Sequence, residues 1–154
     1  MLKTILTKKN ILLKSLKITK EQRLVRKWKK EHQKISEYSH KALASYNRGD
    51  IKELQRYILI LRDLTIKHLM EEDIEFYRQK RENSNNEILM NGIDNFIETF
   101  KEIKKTWRDF ICKYAKEEAL YDKDFHDKFE ELIHILEDRI RFEEETLYRY
   151  LSNM

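Results

Sequence analysis

The chain has 154 residues, no proline, two glycines and 39% charged residues, a composition that withholds most of the turn chemistry sheets require and favours helix. One cysteine, Cys112, excludes an internal disulfide, and no run approaches the roughly 18 apolar residues of a membrane-spanning helix. Both point to a reducing, cytoplasmic compartment, while the net charge of +4 conceals a basic head, since residues 1–30 carry eleven Lys/Arg against the single acid Glu21.

In chain order, Lys8, Lys9, Lys14 and Lys17 interrupt every apolar run near the start. No uninterrupted core of a signal peptide forms, and secretion is not expected. Leu2, Ile5, Leu6, Leu12, Leu13 and Leu16 suit one side of a short basic amphipathic helix. Residues 1–20 therefore read as a basic arm, packed on its own domain or on a second subunit of a homodimer. Contact of residues 1–30 with nucleic acid or an anionic membrane is the other use of such charge.

From residue 21 to 154 the apolar residues fall at alternating three- and four-residue steps, the mark of helices with one buried stripe. The first run carries Leu24, Trp28, Ile35, Ala42 and Tyr46 and stops near Gly49, where glycine suits a left-handed closing residue. Asp50 to Glu53 reads as an Asp form of the capping box. The second run passes through Leu54, Ile58, Leu61, Leu64, Thr65, His68 and Glu72 towards Arg81, and Asn83 to Asn86 is a polar turn cluster. The third, Leu89, Ile93, Phe96, Phe100, Ile103, Trp107, Phe110 and Tyr114, is an apolar seam without a ligand. After a loop near Tyr121 to Asp124, the fourth continues from Phe129 through Leu136, Ile140, Glu143 and Leu147 to Leu151. The expected fold is all-α: an up-down-up-down four-helix bundle with a short basic N-terminal arm.

The informative residues break these stripes. His68 and Glu72, one turn apart, continue the inward rhythm of the second helix, and His32 follows Trp28 by one turn on the first. Glu143 and Glu144 reach the same depth on the fourth. A buried carboxylate without a partner is costly, so three helices bringing polar groups to one layer implies pairing or metal.

The segments Trp28 to Ile35, Gly49-Asp50, His68 to Tyr77 and Arg139 to Tyr148 resemble the motifs of hemerythrin-like (HHE) cation-binding domains across about residues 21–152. By that resemblance His32 and His68 correspond to the two histidines of one metal and Glu72 to a bridging carboxylate. The second bridging carboxylate falls on Glu143, or on Glu144 if the register slips by one. Arg139 stands where the family has a histidine, and the third helix offers Phe96/Phe100 or Ile103/Trp107 in place of the family's His-x-x-x-His. The resemblance thus implies that the ligands of one metal are kept and those of the other lost, which removes the two-iron basis for dioxygen carriage.

Two readings follow. In one, His32, His68, Glu72 and a fourth-helix carboxylate hold one Fe, Mn or Zn ion, since imidazole and carboxylate suit all three. In the other, no metal binds and the same residues form a buried polar network. Either way, Arg139 is expected as a cation substitute, pairing with Glu72 and Glu143 through its fixed charge and bidentate geometry. His40, His126 and His134 are expected at or near the surface, and Cys112 as a small packing residue. No phosphate loop, nucleophile elbow or Cys-x-x-Cys pair is present, so an enzyme is not expected. The remaining functions are a metal-binding sensor or regulator and a metal-free regulator that binds a protein partner, in outline resembling sigma-D-type anti-sigma bundles.

Overall fold

A computed structural model describes residues 17–154, which form five helices joined by short turns: α1 Lys20–Arg48, α2 Ile51–Glu82, α3 Glu87–Tyr114, α4 Lys123–Glu145 and α5 Leu147–Ser152. The basic arm expected over residues 1–20 lies outside the described residues up to residue 16. The four long helices pack as a ring, α1 on α2, α2 on α3, α3 on α4 and α4 back on α1, with α5 closing against α1, α3 and α4. This is the all-α, up-down-up-down bundle that the short connections imply.

The start of each of the four long helices is fixed by a side-chain cap. Thr19 Oγ1 accepts from the Gln22 amide at 3.1 Å while Gln22 Oε1 accepts from the Thr19 amide at 3.1 Å, a complete capping box. Asp50, Asn86 and Asp122 cap α2, α3 and α4 by accepting from Glu53, Leu89 and Phe125, each worth about 1 kcal/mol. The box expected at Asp50 is only half formed, because Glu53 turns its carboxylate to the Tyr57 hydroxyl at 2.8 Å and Arg48 at 3.0 Å. Gly49 closes α1 at φ 74°, a left-handed conformation that costs a side-chain-bearing residue about 1–2 kcal/mol.

The fourth apolar run was expected to reach Leu151 as one helix, but it bends at Thr146, where φ is −115° and ψ −75°. The Thr146 hydroxyl donates back to the Phe142 carbonyl, a bond that competes with the regular ladder and often accompanies a bend. Beyond the bend, α5 buries Leu147, Tyr148 and Leu151. Gln22 Nε2 donates to the Ser152 carbonyl at 3.0 Å, tying the start of α1 to the end of α5.

At one end of the bundle Phe110, Phe125 and Phe129 stack with centroids 5.3–5.7 Å apart. Burial of each such ring contributes about 2 kcal/mol. Cys112, expected as a packing residue, is exposed on the outer face of α3; the inward positions beside it are taken by Phe110 and Ile111. No described helix is long and apolar enough to cross a membrane.

Candidate metal centre

Midway along the bundle the apolar core is interrupted by four polar side chains from three helices: His32 on α1, His68 and Glu72 on α2, and Glu143 on α4, each no more than 4% exposed. The helical repeat puts His68 and Glu72 on one face, with Nε2 of His68 2.9 Å from Glu72 Oε1. Nε2 of His32 lies 2.9 Å from Nε2 of His68 and 3.3 Å from Glu143 Oε1. One donor atom from each of the four falls within 4.8 Å of the others.

Both imidazoles face the centre through Nε2 and a carboxylate through Nδ1. Glu31 Oε1 sits 2.9 Å from Nδ1 of His68, and Glu144 Oε1 3.4 Å from Nδ1 of His32. An outer carboxylate on the remote nitrogen is the arrangement that fixes the tautomer and aim of a metal-ligating histidine. Tyr148, fully buried after the bend, donates its hydroxyl to Glu72 Oε2 at 2.8 Å and lies 3.3 Å from His32 Nε2. Its ring stacks on that of His32 at 5.5 Å.

Burial acts on every charge here, and the neighbours decide the outcome. It drives His32 down to about 4, helped by the nearby His68. Burial would lower His68 as well, but Glu72 and Glu31 outweigh it and its pKa is raised. For Glu72, burial is overcome by hydrogen bonds from His68 and Glu143, leaving it at about 2. Burial and the Glu72 charge then hold Glu143 well above the usual carboxylate range, and they do the same to the Tyr148 phenol together with Glu143. Without a cation the shifts are complementary: His68 is biased towards the imidazolium and Glu72 towards the carboxylate, while His32 and Glu143 are biased towards their uncharged forms. A divalent ion would displace those protons and draw on all four lone pairs. The residues fit such an ion, because two imidazoles and two carboxylates converge with their outer shell in place.

The model of the hemerythrin HHE cation-binding domain matches residues 23–151. The chain belongs to the hemerythrin HHE family. No curated protein and no solved structure matches it. As an HHE domain it carries a partial metal cluster, four ligands able to coordinate one ion of the Fe, Mn or Zn type, in place of a full two-metal site.

The flank of this HHE domain next to the cluster explains the loss. Phe96 and Phe100 of α3 line a cavity beside His32, His68, Glu72 and Glu143, and their rings lie 5.2 Å apart. Arg139 was expected to bridge Glu72 and Glu143, and the structure corrects this. Its Nη2 donates to Thr99 Oγ1 at 2.8 Å, and its guanidinium lies over the rings of Phe96, Phe100 and Phe142 at 5.3, 5.4 and 5.1 Å. The ring faces attract the cation and hold it towards α3. Burial lowers the Arg139 pKa while the field of Glu143 opposes it. Arg139 thus plugs the vacated flank as a hydrocarbon-stacked cation and does not replace a metal between carboxylates.

The Glu143/Glu144 ambiguity resolves by helical phase. Glu143 points inward at 2% exposure, whereas Glu144 is partly exposed behind His32 and lies outside the cluster. His40 is exposed and pairs with Glu137 at 2.8 Å; His126 is half-buried, stacked on Tyr46; His134 is exposed. Two participants escaped sequence reasoning. Glu31 precedes His32 on a strongly charged stretch of α1, and Tyr148 sits at an ordinary core position of the family's last motif.

Proposed function

We propose that this HHE domain binds a single non-haem transition-metal ion through His32, His68, Glu72 and Glu143 and serves in sensing or regulation. The observation that carries the reading is the two-sided engagement of both histidines, Nε2 towards a shared centre and Nδ1 towards Glu31 and Glu144. When bound, the ion supplies Lewis acidity or, for Fe and Mn, one-electron redox chemistry. The chain's own residues would hold it at the junction of α1, α2 and α4, so that its arrival, loss or change of charge bears on three helices at once.

The cavity beside the cluster, about 20 Å³, has room for one water-sized molecule, which disfavours chemistry on an organic substrate. Pockets for organic substrates run to several hundred Å³.

Equilibrium dialysis of chelator-treated full chain against Zn, Mn or ferrous iron tests the reading. One ion bound per chain, lost in His68→Ala, supports it; no uptake of any of the three overturns it.

The second reading, a metal-free regulator that binds a protein in the manner of sigma-D-type anti-sigma bundles, is favoured by a different observation. Met70, Ile74 and Tyr77 stand 59, 67 and 65% exposed along one face of α2. An apolar stripe at helical spacing suits a partner helix. Replacing the three by Ser and measuring capture of a sigma subunit by the bundle tests it. Loss of capture supports this reading, and failure of the unaltered chain to capture any sigma subunit overturns it.

A further inference from the structure

Tyr148 makes contacts that a packing residue does not need. Its phenol oxygen is enclosed with the four candidate ligands, 2.8 Å from Glu72 Oε2 and 3.3 Å from His32 Nε2. An ion with bonds of about 2.0–2.2 Å sets neighbouring donor atoms about 2.8–3.4 Å apart around itself. The cluster's own spacings follow that rule: 2.9 Å between the two Nε2 atoms, 2.9 Å from His68 to Glu72 and 3.3 Å from His32 to Glu143. The two distances made by Tyr148 belong to the same set. From these contacts we propose that Tyr148 is a fifth ligand, its phenolate oxygen completing the coordination of the ion held by His32, His68, Glu72 and Glu143.

The position is built, not incidental. The bend at Thr146 turns α5 so that Tyr148 enters the core, where its ring stacks on His32 at 5.5 Å and leans on Trp28 at 5.4 Å. The ring is fully buried between these two contacts. On ligation the O–H bond breaks, the oxygen keeps the electron pair and gives it to the ion, and the proton passes by way of Glu72, its present acceptor, to solvent. No oxidant or reductant is needed. A hard anionic oxygen would favour a trivalent over a divalent ion, so the fifth ligand would bias the site towards ferric iron.

The proposal rests on the one-ion reading, and its test separates the two. Chelator-treated full chain is loaded with one equivalent of ferrous iron, oxidised in air, and examined by visible absorption and resonance Raman. The expected result is a phenolate-to-iron charge-transfer band with enhanced tyrosinate ring modes, both lost in Tyr148→Phe when the spectra are compared per bound iron. Bound iron without the band, or a band that survives in Tyr148→Phe, overturns the fifth ligand and leaves the one-ion reading standing. Failure to take up iron overturns the fifth ligand, and the one-ion reading falls with it only where Zn and Mn fail to bind as well. Should Tyr148→Phe not fold, as judged by circular dichroism, the Raman spectrum of the unaltered chain decides: tyrosinate modes support the proposal and their absence overturns it.

Discussion

His32 and His68 meet nose to nose, Nε2 to Nε2 at 2.9 Å, although they come from different helices and are both almost fully buried. Two imidazoles at that distance cannot both be protonated on the facing nitrogens, and the depressed pKa of His32 reflects burial followed by that conflict. A shared cation removes it. The pair therefore marks the level at which α1 and α2 are organised around a centre, with Glu143 completing the ring from α4.

The outer carboxylate of His68 carries the first prediction. Glu31 accepts from Nδ1 at 2.9 Å, and removal of such partners lowers metal affinity by about 10–100-fold. Glu31→Gln is expected to fall within that range in competition titrations against a chelator, with helicity unchanged. Affinity equal to that of the unaltered chain would show that His68 is oriented by other contacts.

Arg139→His is expected to leave the stoichiometry at one ion per chain. Restoring the family's histidine on α4 supplies a single ligand, while Phe96 and Phe100 still present rings where the second ion would need imidazoles. Calorimetric titration reading two ions per chain would mean that α3 offers ligands not recognised in its register.

Metal affinity should fall as the solution is made more acidic. His68 and Glu143 have raised pKa values in the folded chain, so both retain protons that an ion must displace. As pH rises through those values the competition ends and affinity climbs to a plateau. Titration calorimetry in buffers of different ionisation enthalpy should show net proton release near neutral pH. Binding without proton release would contradict the protonation pattern derived for the cluster.

Gly49→Ala tests the fold independently of the centre. No atom lies within 4 Å of an added Cβ, so the cost is conformational, set by φ at +74°. A loss of about 1–2 kcal/mol is expected in urea unfolding, with the same denaturant slope. An unchanged midpoint would mean that the α1–α2 turn relaxes to another closing geometry.

Much of this was legible in the residues. His68 and Glu72 announce themselves because a polar pair one turn apart continues an apolar stripe, and stripe phase alone fixes which face a helical residue occupies. Periodicity says less about direction within a face. It placed Arg139 at the right level, but the choice between the carboxylates and the rings of Phe96, Phe100 and Phe142 depends on side-chain reach across the bundle. Likewise, Glu143 and Glu144 are neighbours in sequence, and only the packed phase of α4 separates the inward carboxylate from the one behind His32. The bend at Thr146 was illegible because Thr65 and Thr99 bond to the carbonyl four residues back in the same way without breaking their helices. Without the bend, the placing of Tyr148 in the cluster stays hidden as well.

The most direct test of the central claim is elemental analysis of the full chain purified without chelator. One equivalent of a single transition metal per chain is predicted, reduced to background in Glu72→Ala. Two equivalents, or less than about a tenth of one, would contradict a centre built for one ion.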